Sequence, residues 1–355
     1  MGGCSMLCDA CHPQQKGYTI YFLEERQRID SFINNIPKDY YQLINEDTIW
    51  LTEPAFFSFL DYAQVHLQED NIDAAESEPN KPLIDKFPRK RLLEFTEERD
   101  ASWIDEIILN NQITSYFQPI IQIKNNQPII VGHELLSRGI NTKGEIIPPN
   151  TLFNAARKRN RLFSLDRACR LQAVRNANIF KDEMIFINFI PTAIYNPEHC
   201  LSSTFSLVKE LNINPENVVF EVVETDEIKD VTHLRSILTH YKKHGFKYAL
   251  DDVGVGFNTI EKLEAIKPDI VKLAFEYSNG VSHDQNKQEM AYAVLQATKR
   301  LGSLALAEGV ETEDDFHYLS KMGYDLFQGY YFSKPRNIPL TQRELDAYLI
   351  CNTKK

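Results

Sequence analysis

The sequence predicts an α/β protein whose larger part is a modified TIM-type (β/α)8 barrel with an antiparallel first strand, preceded by a small N-terminal α+β domain. The length of 355 residues exceeds what a single core usually supports. After residue 92, eight strand-like segments alternate mostly with amphipathic segments of helical period. Residues 124–127 join the first two strands, and so short a connection forces an antiparallel pair because a parallel crossover needs about a dozen residues.

Residues 1–68 are expected to form the small domain, with a sensory or regulatory role. Aromatic and β-branched runs predict its strands, and apolar residues at helical spacing predict its helices. These elements alternate as strand, helix, strand and helix over 18–23, 25–36, 40–51 and 54–67. Residues 69–91 are polar and punctuated by proline, so they are expected to be a linker to a barrel domain over 92–345.

The expected barrel strands end at polar or ionisable residues. These strands cover 114–123, 129–137, 183–190, 217–224, 246–252, 269–274, 303–308 and 325–332. Active sites of such barrels lie at the C-terminal ends of the strands. A buried carboxylate there costs several kcal/mol, by order of magnitude, unless it is paired or binds a metal. The candidate site residues are Gln118, Glu134, Asn188, Glu221, Glu224, Asp251, Asp252, Lys272, Glu308 and Gln328.

The charge of this set points to metal ions. Five carboxylates, those of Glu134, Glu221, Asp251, Asp252 and Glu308, face a single cation, Lys272, and would repel one another without further positive charge. Two divalent ions would bring the cluster near neutrality. Ligands that are all oxygen favour Mg²⁺ or Mn²⁺ over zinc, and Asp251 is placed to bridge both ions. Two such ions about 4 Å apart activate water and stabilise the leaving oxygen of a phosphodiester, so the residues predict phosphoryl chemistry without naming the substrate.

Composition excludes several other classes of protein. The formal net charge of −11 argues against DNA binding, which relies on clustered Lys and Arg. No apolar run approaches the roughly 20 residues that span a bilayer. The first residues, MGGCSMLCDACHPQQKG, show no basic leader followed by an apolar stretch. We therefore expect a cytoplasmic protein without a membrane span.

Three cysteines crowd the N-terminus. Cys4, Cys8 and Cys11 are followed directly by His12, and thiolate and imidazole are good zinc ligands. However, Cys11 and His12 are adjacent, which makes simultaneous ligation awkward, and no second cysteine pair follows. Two interpretations stay open, a zinc or redox site and a disordered tail with incidental thiols.

Over roughly residues 98–345 the chain resembles EAL-domain cyclic-di-GMP phosphodiesterases. The matching segments, in this order, are YFQPI (116–120), ELLSR (134–138), INFIP (187–191), FEVVE (220–224), LDDVGVGF (250–257), PDIVKL (268–273), AEGVET (307–312) and FQGYYFSKP (327–335). The resemblance implies hydrolysis of cyclic-di-GMP, a bacterial second messenger, to linear pGpG with Mg²⁺ or Mn²⁺. It also implies a homodimer formed through the barrel.

The resemblance further implies roles for individual residues. The metal-ligand positions are Glu134, Asn188, Glu221, Asp251, Asp252 and Glu308, of which Asp251, Asp252 and Glu308 are also catalytic. Lys272 matches the lysine that contacts the attacking water, and Glu224 matches the glutamate that anchors the loop after its strand. The substrate-binding positions are Gln118, Glu134, Leu136, Arg138 and Gln328.

Departures from the family pattern keep alternatives open. The name motif reads Glu-Leu-Leu at 134–136, and the loop at 252–259 reads DVGVGFNT, in which Val255 lacks the hydroxyl of the usual threonine. Ala274 stands where a second acidic residue is expected. None of these changes removes a metal-ligand position. The expected function is therefore a cyclic-di-GMP phosphodiesterase, and the alternatives are a cyclic-di-GMP receptor without hydrolysis and a protein-interaction scaffold.

Overall fold

The computed structural model describes residues 16–22, 29–67, 72–78, 89–223, 231–255 and 259–352. The chain divides into two compact units, and each is described over these residues. The sheet unit comprises Leu7–Asn110 and Phe153–Ser164, and the barrel unit contains Asn111–Leu152 and Leu165–Lys355. The cysteines of the N-terminal cluster lie outside the described residues, so the zinc or redox interpretation stays a prediction.

The sheet unit contains a five-stranded antiparallel sheet of order β2-β3-β1-β4-β5. Its strands are β1 (Gly17–Phe22), β2 (Tyr41–Asn45), β3 (Thr48–Thr52), β4 (Ile72–Ser77) and β5 (Lys90–Arg91). Its helices are α1 (Asp30–Ile33), α2 (Glu53–His66), α3 (Thr96–Asp100) and α4 (Trp103–Leu109). Tyr18 and Ile20 alternate onto one face of β1, because successive strand residues point to opposite faces, and pack with Phe56 and Phe59 of α2.

Two elements of this unit differ from the expectation. The segment 40–51, expected as one strand, forms the hairpin β2–β3, and its turn is closed by the Asn45 side chain, whose Oδ1 accepts a hydrogen bond of 2.9 Å from the Asp47 amide. Strand β4 lies within the segment expected as a linker and pairs with β1 along its whole length. The sequence hides β4 because its apolar residues Ile72 and Ala74 alternate with acidic ones in a proline-punctuated segment.

The barrel unit closes eight strands into a ring, which confirms the predicted fold. Its strands are β6 (Ile113–Lys124), β7 (Gln127–Ile140), β8 (Ile146–Ile147), β9 (Met184–Phe189), β10 (Val218–Val222), β11 (Lys247–Val253), β12 (Ile270–Leu273), β13 (Leu304–Ala307) and β14 (Leu326–Phe327). Strand β6 is antiparallel to both of its neighbours, β7 and β14. The other barrel strands run parallel from β7 through β9 to β14, and β8 forms a short antiparallel pair with β7.

A two-residue turn explains the inverted first strand. Asn125 and Asn126 connect β6 to β7 with φ angles of +52° and +60°. Tight hairpin turns of this kind need positive φ at both central residues, and asparagine tolerates that backbone conformation. The turn therefore fixes the antiparallel pairing that residue spacing predicted.

Helices follow most of the barrel strands. Their bounds are α5 (Pro149–Lys158), α6 (Leu162–Ala177), α7 (Pro197–Cys200), α8 (Ser202–Glu210), α9 (Val231–Lys243), α10 (Ile260–Ile266), α11 (Phe275–Ser278), α12 (Gln285–Leu301), α13 (Glu313–Met322) and α14 (Gln342–Asn352). Asp284 caps the N-terminus of helix α12, because its side chain accepts hydrogen bonds from two first-turn amides. Gly302, with a φ of +73°, caps the C-terminus. Within the described ranges, none of the helices has the length and apolar character required to cross a bilayer.

One apolar layer fills the barrel interior and sets which side chains point inward near the C-terminal ends of the strands. The layer consists of Ile120, Phe186, Val219, Ala249, Ile270, Leu306 and Leu326. Side chains two residues apart on a strand point to the same face. The next inward positions toward the C-terminal ends are therefore Gln118, Asn188, Glu221, Asp251, Lys272, Glu308 and Gln328. A polar layer thus rests directly on the apolar one.

Candidate active site

The polar layer gathers around the ammonium group of Lys272. This side chain projects from β12, is fully buried, and lies within ion-pair distance of four carboxylates. The distances from its Nζ are 2.9 Å to Asp251, 3.1 Å to Glu221, 3.3 Å to Glu308 and 3.7 Å to Glu134. The structure therefore brings together side chains from five strands or strand ends that are up to 174 residues apart in the sequence, from Glu134 to Glu308.

These charges shift one another's proton affinities. Burial acts to lower the pKa of Lys272, but the surrounding carboxylates, led by Asp251 and Glu134, outweigh it and raise the pKa well above its usual value. Burial likewise raises the pKa of Glu221, and the neighbouring Glu134 carboxylate adds to this effect. Burial raises the pKa of Glu308 as well. Lys272 is therefore a permanent cation, whereas two of its partners bind protons more readily than ordinary glutamates.

Amide side chains orient Glu134. Gln328 donates from Nε2 to one carboxylate oxygen at 2.7 Å, and Asn188 donates from Nδ2 to the other at 2.7 Å. Burial would raise the pKa of Glu134, but Lys272 and these two hydrogen bonds lower it overall. Gln328 also lies 3.3 Å from Oε1 of Gln118, which extends the network to β6. Glu134 is consequently held ionised in one orientation.

An acidic triad stands at the outer edge of the layer. Oxygen atoms of Asp251, Asp252 and Glu308 all lie within 4.8 Å of one another. Asp252 is exposed and has a φ of +49°, a conformation uncommon for residues other than glycine. The pairing of β11 with β12 is irregular between Leu250 and Val253, which lets two consecutive aspartates contribute to the same site.

The residues present fit divalent cations. The carboxylate oxygens of Glu221 and Oε2 of Glu308 are buried, and the ion pairs with the Lys272 ammonium do not use all of their lone pairs. The ligand atoms are carboxylate and amide oxygens, which hard ions such as Mg²⁺ and Mn²⁺ prefer. Five carboxylates against one lysine leave a formal charge of −5 + 1 = −4 when all are ionised. This excess charge matches two divalent ions.

Arg138 lies on β7, four residues beyond Glu134. Its guanidinium lies over the ring of Tyr116 at 5.0 Å, and Nη1 donates to the Ser137 carbonyl at 2.9 Å. Within the part of the chain that the structure describes, Arg138 has no carboxylate partner at ion-pair distance. It is half-buried and available to an anion. Leu136 is also partly buried and lies opposite Tyr116 in the β6–β7 register.

Sequence reasoning did not single out two aromatic residues. Tyr116, whose ring lies under the Arg138 guanidinium, belongs to the quoted segment YFQPI. It lies two residues before Gln118 on the same strand, so strand periodicity could have placed it on the same face. Phe275, which packs against Gly309, the residue after Glu308, gave no such signal. Glu224 lies outside the described residues, so its role as a loop anchor stays a prediction.

Comparison with known proteins gives a consistent result. A model of the EAL domain matches residues 101–335. The probable cyclic di-GMP phosphodiesterase PdeG of Escherichia coli is 28% identical over 236 residues, covering 64% of this chain and 45% of that protein. The chain therefore spans less than half the length of this curated relative.

Solved structures show the same fold. A standalone versatile EAL protein from Vibrio cholerae, in its c-di-GMP-bound form, is 31% identical with a TM-score of 0.58, and the match covers 66% of this chain and 97% of that one. BlrP1 of Klebsiella pneumoniae, solved as a calcium and cyclic-di-GMP complex, has a TM-score of 0.58 at 19% identity, and the match covers 92% of this chain and 97% of that one. The family model covers well over half of the chain, and on these grounds the chain belongs to the EAL domain family.

Proposed function

We propose that the protein is a cyclic-di-GMP phosphodiesterase that hydrolyses its substrate to linear pGpG. The observation that carries this proposal is the convergence of four carboxylates on the buried Lys272 at the C-terminal end of the barrel, with Asp252 beside them. The names of the relative and the ligands of the solved neighbours support the choice of substrate.

The proposal includes two divalent cations, Mg²⁺ or Mn²⁺. The residues that would hold them are Glu134, Asn188, Glu221, Asp251, Asp252 and Glu308. When bound, such ions lower the pKa of a water molecule and neutralise charge on the phosphodiester. Hydrolysis then adds the elements of water across one phosphodiester and breaks one P–O bond, which opens the ring.

The side chains of the protein itself orient the attacking water and neutralise charge on the phosphate. Because the pKa of Lys272 is raised, this residue stays protonated at neutral pH and donates hydrogen bonds rather than accepting a proton. It is suited to orient the attacking water and to stabilise negative charge on the reacting phosphate. Arg138 can hold a phosphate oxygen through its planar guanidinium. Gln118 and Gln328 lie at the same end of the barrel and complete the substrate-binding set, together with Glu134 and Leu136.

A receptor that binds the nucleotide without hydrolysis is the second candidate. Ala274 is almost fully buried directly beyond the end of β12, where the family pattern expects an acidic group. A missing carboxylate near Lys272 would weaken the ordering of water there while leaving Arg138 and Gln328 unchanged. Binding would then persist while turnover falls.

One assay separates these functions. Purified protein is incubated with cyclic-di-GMP in Mn²⁺, Mg²⁺, Ca²⁺ or chelator, and pGpG is measured by chromatography beside a direct binding measurement. We expect product with Mn²⁺ or Mg²⁺ and inhibition by Ca²⁺, whose flexible coordination holds the reacting geometry poorly. Glu134→Ala should abolish turnover, whereas Glu145→Ala, which alters an exposed loop carboxylate, should retain it. Binding without product would favour the receptor, and neither binding nor product would favour a scaffold.

The same proposal assigns roles to the parts of the chain and an oligomeric state to the protein. We propose that the sheet unit, which includes strand β4 of the segment expected as a linker, regulates, and that the barrel unit is the catalytic part of a cytoplasmic homodimer. Light scattering after size-exclusion chromatography tests the dimer, because a monomer at micromolar concentration would contradict it.

A further inference from the structure

The short helix α11 lies between the two segments that carry the acidic triad. It follows β12 after a single residue, and β12 is the strand between β11 and β13. Asp251 and Asp252 lie near the end of β11, and Glu308 follows β13 directly. Helix α11 is therefore placed to contact the segments beyond both neighbouring strands.

One contact joins α11 to the segment after β13. The ring of Phe275 packs against Gly309, the residue after Glu308, so closely that a methyl group on Gly309 would lie 3.1 Å from ring atoms Cγ and Cε2 and would overlap Cδ2. Gly309 has a φ of +67°. The Phe275 side chain is otherwise half-exposed. In addition, the buried Ser278 hydroxyl donates a hydrogen bond to the Glu308 carbonyl oxygen.

A second contact joins α11 to the segment after Asp252. A methyl group on Gly254 would lie 2.9 Å and 3.0 Å from Cε2 and Cδ2 of Tyr277. Gly254 has a φ of +109°. Glycines have the widest backbone freedom of any residue, so a carboxylate beside one is held in place only if neighbouring groups restrict the chain.

We propose that Phe275, Tyr277 and Ser278, which we call the α11 bracket, are positioning residues that hold the carboxylates of Asp252 and Glu308 at fixed separation. The bracket thereby sets the affinity of the acidic triad for divalent cations. This inference rests on the proposed function only in taking the triad as the cation site. Residues that orient metal ligands typically change metal affinity by about 10- to 100-fold when they are removed.

The test measures Mn²⁺ binding by calorimetry with the metal-free full-length chain and no nucleotide. We expect Phe275→Ala to raise the Mn²⁺ dissociation constant about tenfold and Ser278→Ala to raise it severalfold. Phe275→Tyr, which keeps the ring, should stay within about twofold of the wild type. Tyr292→Ala, which removes another half-exposed ring on α12, is the matched control and should bind as the wild type does.

The outcomes separate the two inferences. If Phe275→Ala and Ser278→Ala bind Mn²⁺ with wild-type affinity, the bracket has no positioning role, although the phosphodiesterase proposal stands. If the wild type itself binds no Mn²⁺, the proposed cation site fails first. Thermal unfolding of each variant shows whether it is folded, and should Phe275→Ala unfold, Ser278→Ala decides the question.

Discussion

Replacing Lys272 by methionine leaves four carboxylates around a site that has lost its cation. At an effective dielectric constant of about 20, a single ion pair at 2.9 Å, the distance to Asp251, is worth roughly 6 kcal/mol before desolvation is counted. Breaking a buried pair by removing one partner costs about 3–5 kcal/mol in practice. We therefore expect Lys272→Met to lower the free energy of unfolding by about 3–5 kcal/mol at pH 8 in chelator, and the Tm by roughly 10 °C.

The same substitution should make stability depend on pH. Burial and Glu134 already raise the pKa of Glu221 in the folded protein, and removal of Lys272 raises it further. A folded-state pKa above the unfolded value means that the folded variant binds more protons, so its stability falls as pH rises toward that pKa. Moving from pH 8 to pH 6 should therefore recover part of the stability that Lys272→Met loses.

Urea unfolding at both pH values measures this effect. Lys242→Met is the matched control, because Lys242 pairs with Asp269 at 3.5 Å on the surface, where such pairs contribute about 0–1 kcal/mol. Equal stability of Lys272→Met and the wild type at pH 8, or a loss that is the same at pH 6 and pH 8, would refute the account of Lys272 as the neutralising charge.

Three further predictions concern other residues. Burial raises the pKa of the Cys169 thiol to about 12, so its thiolate fraction at pH 8 is roughly 10⁻⁴; peptide mapping after iodoacetamide treatment should find Cys169 unmodified in folded protein and modified in urea. Arg138→Lys should raise KM for cyclic-di-GMP about tenfold with kcat nearly unchanged, because lysine lacks the planar fork, and an unaltered KM would contradict the phosphate role. Arg159 is fully buried and lies 2.9 Å from Glu53. Arg159→Met should therefore lower the free energy of unfolding by about 3–5 kcal/mol, measured by urea unfolding, and an unchanged midpoint would contradict a stabilising role for this ion pair.

The barrel and its polar layer were accessible from the sequence because both follow from strand periodicity. Val219 and Glu221 lie two residues apart on one strand, as do Ile270 and Lys272, so a strand whose inward apolar residue is known also gives the polar one. The short connection at Asn125 gave the antiparallel start in the same way. Strand periodicity and turn length therefore suffice to predict features that depend only on residues close together in the sequence.

Features that depend on contacts between residues far apart in the sequence could not be predicted from the sequence alone. Strand β4 is stabilised by pairing with β1, some fifty residues earlier, and its own composition resembles a linker. The contact between Phe275 and Gly309 joins helix α11 to the segment after β13, and no sequence pattern in either of them predicts it. The positive φ of Asp252 likewise arises from the irregular end of β11, which propensity does not reveal.

The inverted direction of β6 changes where the polypeptide enters the barrel. In a ring of uniformly parallel strands the chain enters at the end opposite the catalytic mouth. Here β6 starts at the mouth, since Thr114 faces Arg138 and Gln118 faces Glu134 in the register. Tension applied to the chain just before Ile113 would therefore reach Gln118, a proposed substrate-binding residue, within one strand and without crossing the hydrophobic interior.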